Sequence, residues 1–297
     1  MSARPRLLLR VSAEEERVAR SQLRADAIYC KTNVEAVAML GTVHLAGVVW
    51  ELSDGMPAAR QLPVEVLQAA GQIPLLVRAR LTPAVAEEIM RVARFGSILR
   101  VSVCGFDSLE SALTELVDAQ GEPSAERLLI ARLSGVAGAE LRLILVAAVV
   151  LGKRYLSPRT LARACGISST TLRRRFDRCT ELGPRECLGW IRVLHAMWRL
   201  AYLGFPLKRC AAATGFPTSA AARKFLIRYT GSPPSALCRA AVFDEVLERF
   251  VVLIVGATPG VGRAKATASA SRDVVGALDA PWTYSAFRMP ADEHSNS

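Results

Sequence analysis

A pattern of helix, tight glycine turn and helix occurs twice in this sequence, and it restricts the possible folds more than any other feature. The first copy is L-S-P-R-T-L-A-R-A-C-G-I-S-S-T-T-L-R-R-R-F, with its turn at Gly166, and the second copy has its turn at Gly215. Glycine adopts the left-handed backbone of such a turn without strain, and Ser168 is suited to cap the helix that follows. Between the copies, residues 184–203 have the pattern of one continuous helix. The sequence therefore predicts an all-α region over residues 141–243.

The positive charge of the chain is concentrated in the same region. The 297 residues carry a formal net charge of +11, but residues 1–120 carry a net −1 and residues 153–239 a net +14. Hydrophobic residues make up 51% of the chain, which excludes a wholly disordered protein. One neutral part and one basic part indicate nucleic acid or another anionic surface as the partner.

Membrane, metal-binding and disulfide-stabilised classes are disfavoured. The longest apolar run, residues 143–151, is about half the length of a membrane span, and the apolar run before Arg10 is too short for a signal peptide. Seven cysteines without a C-x-x-C pair and three distant histidines favour reduced thiols in a cytoplasmic protein. We expect no membrane contact, no metal and no other cofactor. No catalytic constellation is present, so we expect no enzymatic activity.

The second helix of the first copy has side chains suited to the major groove of DNA. Leu172 and Phe176 are four residues apart and are predicted to face inward. The outer face then carries Thr170, Arg173, Arg174 and Arg178. Arginine binds guanine through two hydrogen bonds, and a threonine methyl group contacts thymine. An isolated arginine run is usually only a solvated helix face, but the recurrence of the whole unit favours DNA binding.

Residues from about 141 to 240 resemble the tandem helix-turn-helix DNA-binding domain of the AraC-type transcriptional regulators. The resemblance rests on five segments in the family's order: L-A-R-A-C-G-I-S-x-x-x-L-x-R-x-F (161–176), C-T-E-L-G-P-R-E-C-L (179–188), R-V-L-H-A (192–196), G-F-P-L-K-R-C-A-A-A-T-G-F (204–216) and Y-T-G-S-P-P-S (229–235). It implies two recognition helices in successive major grooves of double-stranded DNA, with RNA polymerase as a further candidate partner.

The resemblance also assigns roles to individual residues. In the first recognition helix, the implied base readers are Thr170, Arg173 and Arg174, with Ser169 near the DNA backbone. The second helix is implied to use Ser219 and Ala220 at its start. There, Ala220–Ala222 replace the bulkier residues usual in the family, and Leu226 replaces a phenylalanine. We therefore expect this helix to supply mainly phosphate contacts, which position a protein without specifying sequence, through Arg223, Lys224 and Arg228.

Residues 1–120 alternate five strand-like runs with five helix-like stretches. The predicted strands are 6–11, 27–31, 45–52, 73–78 and 98–104, and the predicted helices are 13–23, 34–40, 63–70, 83–95 and 108–119. Such an alternation predicts an α/β domain with a parallel sheet covered by helices. The pattern resembles the receiver domain of two-component response regulators, and an unrelated small α/β domain is the alternative.

The residues of receiver chemistry are not in place. The resemblance implies an acidic pair after strand one, an aspartate ending strand three, a serine or threonine after strand four and a lysine after strand five. The last three positions hold Glu51 with Asp54 in the following loop, Arg78 with Ala79, and Cys104 with Gly105. The acids of Glu14–Glu16 are equally suited to the first turn of a helix. We therefore expect a phosphorylation-incompetent pseudo-receiver that acts in regulation or in homodimerisation through residues 1–120.

Two connecting segments and two alternative functions complete the predictions. Residues 121–140 are expected to be a linker and residues 244–297 a flexible tail. One alternative is an interaction or scaffold protein whose degenerate helix-turn-helix binds DNA without sequence preference. The other is an NAD(P)-binding oxidoreductase, because Gly256, Gly260 and Gly262 resemble the glycine motif of short-chain dehydrogenases. Such a fold needs far more chain after the motif than the sequence provides.

Overall fold

The computed structural model describes residues 6–22, 26–42, 44–52, 62–69, 73–95, 99–118, 124–135, 138–152 and 156–255. All of these residues belong to one compact unit. Within these ranges, no helix combines the length and the apolar character needed to cross a bilayer.

The N-terminal region is built around a five-stranded parallel sheet with the order β2-β1-β3-β4-β5. The strands are β1 (Arg6–Arg10), β2 (Asp26–Tyr29), β3 (Gly47–Leu52), β4 (Leu75–Ala79) and β5 (Leu99–Val103). The helices between and after them are α1 (Ala13–Gln22), α2 (Asn33–Thr42), α3 (Val64–Ala69), α4 (Pro83–Ala93) and α5 (Leu109–Asp118). Every strand and helix predicted for residues 1–120 is present, and the strand order is that of flavodoxin-like sheets. The α/β prediction is confirmed.

Alternation along the strands gives the sheet two buried faces. Leu7 and Leu9 of β1 face a small core formed with α1 and α5, whereas Leu8 faces the opposite side, which is covered by α2, α3 and α4. On that second side the apolar core continues without a break into the C-terminal helices. The two regions of the chain therefore share one core.

The C-terminal region is helical throughout its described residues, as predicted. Its helices are α6 (Ala125–Ser134), α7 (Ala139–Leu151), α8 (Pro158–Ala164), α9 (Ser169–Cys179), α10 (Pro184–Ala201), α11 (Leu207–Ala213), α12 (Ser219–Thr230) and α13 (Ala240–Val255), with a short 3-10 helix at Pro234–Leu237. The long helix expected over residues 184–203 is α10.

The prediction of a linker over residues 121–140 is corrected, because part of this segment forms helix α6. Helix α6 covers the free edge of strand β5. The Ser124 hydroxyl donates to the Leu99 carbonyl, and the Glu126 carboxylate accepts from the Val101 N–H at 3.3 Å. Ser124 also caps α6 by accepting from the Arg127 N–H at 3.0 Å. An edge strand has backbone groups without a neighbouring strand, and buried groups of this kind need partners. This segment therefore belongs to the packed structure of the sheet.

A flexible tail is expected over residues 244–297. This prediction is wrong for residues 244–255, because they belong to helix α13. Phe243 packs against Trp198 with ring centroids 5.6 Å apart, and Phe250 stacks on Trp190 at 6.2 Å. Apolar residues three or four positions apart explain the helix, since they form one buried stripe along α10. Residues 256–297, including the glycine motif at 256–262, lie outside the described residues.

Candidate nucleic-acid interface

The two helix pairs, α8–α9 and α11–α12, have the same backbone geometry in their turns. Gly166 and Gly215 both have left-handed backbones, with φ of +64° and +67°. The Ile167 N–H bonds to the Ala162 carbonyl at 3.0 Å, and the Phe216 N–H bonds to the Ala211 carbonyl at 2.9 Å. Each residue of the first turn thus has a counterpart 49 positions later. The repeat predicted from the sequence is therefore also present in the backbone geometry of the two turns.

Hydroxyl caps fix the start of each recognition helix. The Ser168 hydroxyl accepts from the Thr171 N–H at 3.0 Å, and the Thr218 hydroxyl accepts from the Ala221 N–H at 3.1 Å. The second turn is one residue longer than the first, so α9 and α12 correspond at a spacing of 50 residues. Arg173 and Arg174 of α9 therefore correspond to Arg223 and Lys224 of α12.

Helix α9 presents its predicted reading face to solvent. Leu172 and Phe176 are buried, as expected from their spacing. Ser169, Thr170, Arg173 and Arg174 are exposed. The Arg173 side chain is 81% exposed, and its Nε lies 3.8 Å from the carboxylate of Asp177. This side of α9 is open to a duplex.

Arg178, at the end of α9, lies in a different setting from the other arginines of the helix. Its guanidinium pairs with the Glu140 carboxylate of α7 at 3.2 Å. The pair joins the end of the recognition helix to the start of α7. The predicted contact of Arg178 with DNA stays a prediction, as do those of the other site residues.

Helix α12 has a smaller buried face and a basic outer face. Ala222 and Leu226 are buried at the positions where α9 has Leu172 and Phe176. The exposed side chains are those of Ala220, Arg223, Lys224 and Arg228, and Ser219 is half-buried. Because Ala220 has only a methyl group, the start of α12 offers DNA fewer hydrogen-bonding groups than the start of α9.

Helix α10 is surrounded by both helix pairs and by α7 and α13. All of its residues from Cys187 to Trp198 are buried. His195 donates from Nε2 to the Val149 carbonyl of α7 at 2.9 Å. The helix is enclosed because elements pack against it from opposite sides.

Arg192 of α10 is a buried charged residue to which the sequence predictions assign no role. Its side chain is 9% exposed. Nε donates to the Thr214 carbonyl at 2.8 Å, a terminal nitrogen donates to the Gly215 carbonyl, and the guanidinium lies 3.7 Å from the centre of the Phe216 ring. The available signal was an arginine within an otherwise apolar run, since a buried charge needs partners.

The carboxyl edge of the sheet holds an internal ion pair. Arg78 of β4, which is 6% exposed, binds the Glu15 carboxylate at 2.8 Å and the Ser102 hydroxyl at 2.9 Å. The Glu51 carboxylate accepts a hydrogen bond from the Ser12 N–H. Asp54 lies outside the described residues.

The cysteines have the properties of structural thiols. All seven are free, and four of them are buried. Burial raises the pKa of Cys165 to about 12 and that of Cys210 to about 11, so neither is a thiolate at neutral pH. The described residues contain no cluster of His, Cys, Asp and Glu that could hold a metal ion.

Comparison with known proteins agrees with this geometry. Residues 161–240 match the family model of a helix-turn-helix domain, which confirms the prediction for this part of the chain. The match runs from α8 to the start of α13 and includes both recognition helices. No curated protein and no solved structure matches the chain.

Proposed function

We propose that this chain, whose residues 161–240 carry the DNA-binding domain of an AraC-type transcriptional regulator, binds DNA sequence-specifically through two successive major grooves. The observation that carries the proposal is the geometric repeat of two helix pairs on one buried helix. The 18 residues of α10 span about 27 Å at about 1.5 Å each, against about 34 Å for one DNA turn. A rigid helix of this length holds the two pairs at a separation suited to one side of a duplex.

The two recognition helices have different roles in this proposal. Helix α9 reads bases through Thr170, Arg173 and Arg174, with Ser169 at the DNA backbone. Helix α12 binds phosphates through Arg223, Lys224 and Arg228, with Ser219 at its start, and Arg178 adds a phosphate contact at the end of α9. The exposure of these side chains and the methyl group at Ala220 support the division.

The α/β region acts as a phosphorylation-incompetent regulatory domain in this proposal. The buried pair of Arg78 and Glu15 supports this role, because a guanidinium fills the edge where receiver chemistry needs an open acidic site. The Glu51 carboxylate is also engaged by the Ser12 N–H. Acetyl phosphate should therefore leave the mass of the purified protein unchanged, whereas a phosphoryl adduct at Glu51 or Asp54 would contradict the role.

Homodimerisation through residues 1–120, contact with RNA polymerase and a cytoplasmic location complete the proposal. Strand β5 and helix α4 already contact α6 and α7, so a second copy would dock on the remaining helices of the sheet. Val34, at the start of α2, is 79% exposed and lies on that remaining surface. Free thiols support a reducing compartment. We propose no enzymatic activity and no cofactor.

Selection of duplexes from a random pool with the full-length protein tests the proposed specificity. Arg174→Ala should weaken binding to the selected duplex by about 1–3 kcal/mol and relax the preference at one base position. Lys224→Ala, at the corresponding position of α12, should weaken binding equally on all sequences. Uniform weakening by both variants would show that Arg174 contacts only phosphate.

A scaffold protein with non-specific DNA binding is the second candidate, and the alanines of α12 favour it. Purely electrostatic binding weakens with salt and shows no sequence preference at any salt concentration. A salt titration on the selected duplex and on a random duplex separates the two functions. Equal affinities for the two duplexes at every salt concentration would support the scaffold function.

A further inference from the structure

Helix α12 buries smaller side chains than α9 at two corresponding positions. These residues are Leu172 and Phe176 in α9 but Ala222 and Leu226 in α12. Smaller side chains bury less apolar surface and make fewer contacts. The Phe216 and Phe225 rings, with centroids 5.2 Å apart, add apolar contact to the second pair. A fixed orientation of α12 on DNA therefore depends more on such further contacts.

Arg192 supplies that orientation from α10. Its guanidinium donates to the carbonyls of Thr214 and Gly215, which end α11 and form the turn before α12. A cation at the end of a helix satisfies carbonyls that have no partner within the helix. The same guanidinium lies over the Phe216 ring at 3.7 Å and is 5.8 Å from the Phe225 ring of α12. One side chain thus contacts α11, the turn and α12.

The first helix pair is held differently. The residue 49 positions before Arg192 is Leu143 of α7, the helix that precedes the first pair. Leu143 is buried in the apolar core, and an aliphatic side chain cannot donate to a turn carbonyl. The contact made by Arg192 in the second pair therefore has no counterpart at the equivalent position of the first pair.

We propose that Arg192 is a positioning residue for DNA recognition, which sets the orientation of the second helix pair on α10 without itself touching DNA. The proposal rests on the proposed DNA-binding function. Loss of the guanidinium leaves two turn carbonyls without their partner, so the pair reorients and α12 no longer meets the duplex at the spacing fixed by α10. The effect is confined to the half of the site bound by α12.

A DNA-binding experiment tests the positioning role. The full-length protein, Arg192→Met and Arg192→Lys are compared on the duplex selected by the unaltered protein and on a shortened duplex that keeps the α9 half and lacks the α12 half. We expect Arg192→Met to bind the intact duplex about tenfold or more weakly, no better than the unaltered protein binds the shortened one. Its nuclease footprint should retain the α9 half and lose the α12 half. Arg192→Lys, which keeps a donor, should give an intermediate affinity.

The control variant is Arg132→Met, which removes an exposed arginine of α6 that pairs with Glu248 at 3.2 Å. It should bind both duplexes as the unaltered protein does. Unchanged affinity of Arg192→Met on the intact duplex, or equal loss of both halves of the footprint, would overturn the proposal. The second result would show a general role in folding.

Thiol labelling gives a readout that does not depend on DNA. Cys210 lies buried in α11 of the second pair, and Cys165 lies buried at the end of α8 in the first pair. Arg192→Met should speed the alkylation of Cys210 at least about tenfold and leave Cys165 protected. Unchanged protection of Cys210 overturns the proposal even if the unaltered protein shows no sequence preference for DNA. Absence of that preference, with Cys210 exposed, instead contradicts the proposed function.

Discussion

Replacement of Gly189 by alanine tests the close approach of α12 to α10. A Cβ atom at residue 189 would lie 1.9 Å from the Tyr229 hydroxyl oxygen and 2.4 Å from Cζ of the same ring. The ring is held in place, because its centroid lies 5.3 Å from that of Trp190 and 4.8 Å from that of Phe225. The added methyl group therefore has to displace a packed aromatic side chain.

Two opposing effects decide the outcome of this substitution. Alanine in a helix interior is about 1 kcal/mol more favourable than glycine. Acceptable contact requires the Tyr229 ring to move by about 1.5 Å, and overpacking of this kind costs about 1–3 kcal/mol, occasionally more. Because the clash involves both the hydroxyl oxygen and a ring carbon, we expect the upper part of that range and a net loss of about 1–2 kcal/mol. For a protein of this size, each kcal/mol lowers Tm by about 2–4 °C.

Thermal and urea unfolding of Gly189→Ala measure this loss, with two comparisons. Gly135→Ala is the control, since the nearest atom to its added methyl group among the described residues, apart from its chain neighbours, is the Arg132 carbonyl oxygen at 3.8 Å. Its stability should change by less than about 0.5 kcal/mol. In a Tyr229→Leu background the clash is relieved, so Gly189→Ala should become neutral or stabilising by up to about 1 kcal/mol. A rise in Tm for Gly189→Ala alone would refute the close approach.

Two further predictions concern the edge of the sheet and the thiols. Ser124→Ala removes both a helix cap and the partner of the Leu99 carbonyl, so it should lower the free energy of unfolding by about 2–3 kcal/mol. Ser168→Ala removes only a cap and should lower the free energy of unfolding by about 1 kcal/mol in the same urea titration. An equal loss for both variants would contradict the role of Ser124 as partner of the Leu99 carbonyl. Alkylation of the native protein at pH 8, followed by mass spectrometry, should modify the exposed Cys238 and spare Cys165 until the protein is unfolded, because burial raises the Cys165 pKa to about 12. Labelling of Cys165 as fast as Cys238 would show that the first helix pair is open.

Local sequence signals were sufficient for most of the fold. The strands of the sheet are short apolar runs between amphipathic stretches, and Thr82–Pro83 marks the start of α4 with a capping side chain and a first-turn proline. Gly166 and Gly215 mark the turns of both helix pairs through their left-handed backbones. Each of these signals comes from residues that are close together in the sequence. They could therefore be recognised without the tertiary structure.

The features missed in the sequence depend on contacts between distant residues. The sequence predicts a linker in place of α6 because glycines and a proline flank the ten residues of this helix. Leu129 and Leu133 nevertheless have helical spacing. The partners that explain it, the Leu99 carbonyl and the Val101 N–H, lie 25 residues away. Arg192 is a stronger case, since its partners lie 22 and 23 residues away in a turn that has to form first.

The packing of α6 and α7 decides how the α/β region is connected to DNA recognition. Helix α7 packs on α4 of the sheet region, and its Val149 carbonyl accepts a hydrogen bond from His195 of α10. Arg142 of α7 pairs with Glu87 of α4 at 3.1 Å, which adds a charged contact across the same surface. A change in the sheet therefore reaches the first helix pair through the packed side chains of α4 and α7, since α7 also contacts α8 and α9. The second pair packs on α10, and its turn is bound to α10 by Arg192.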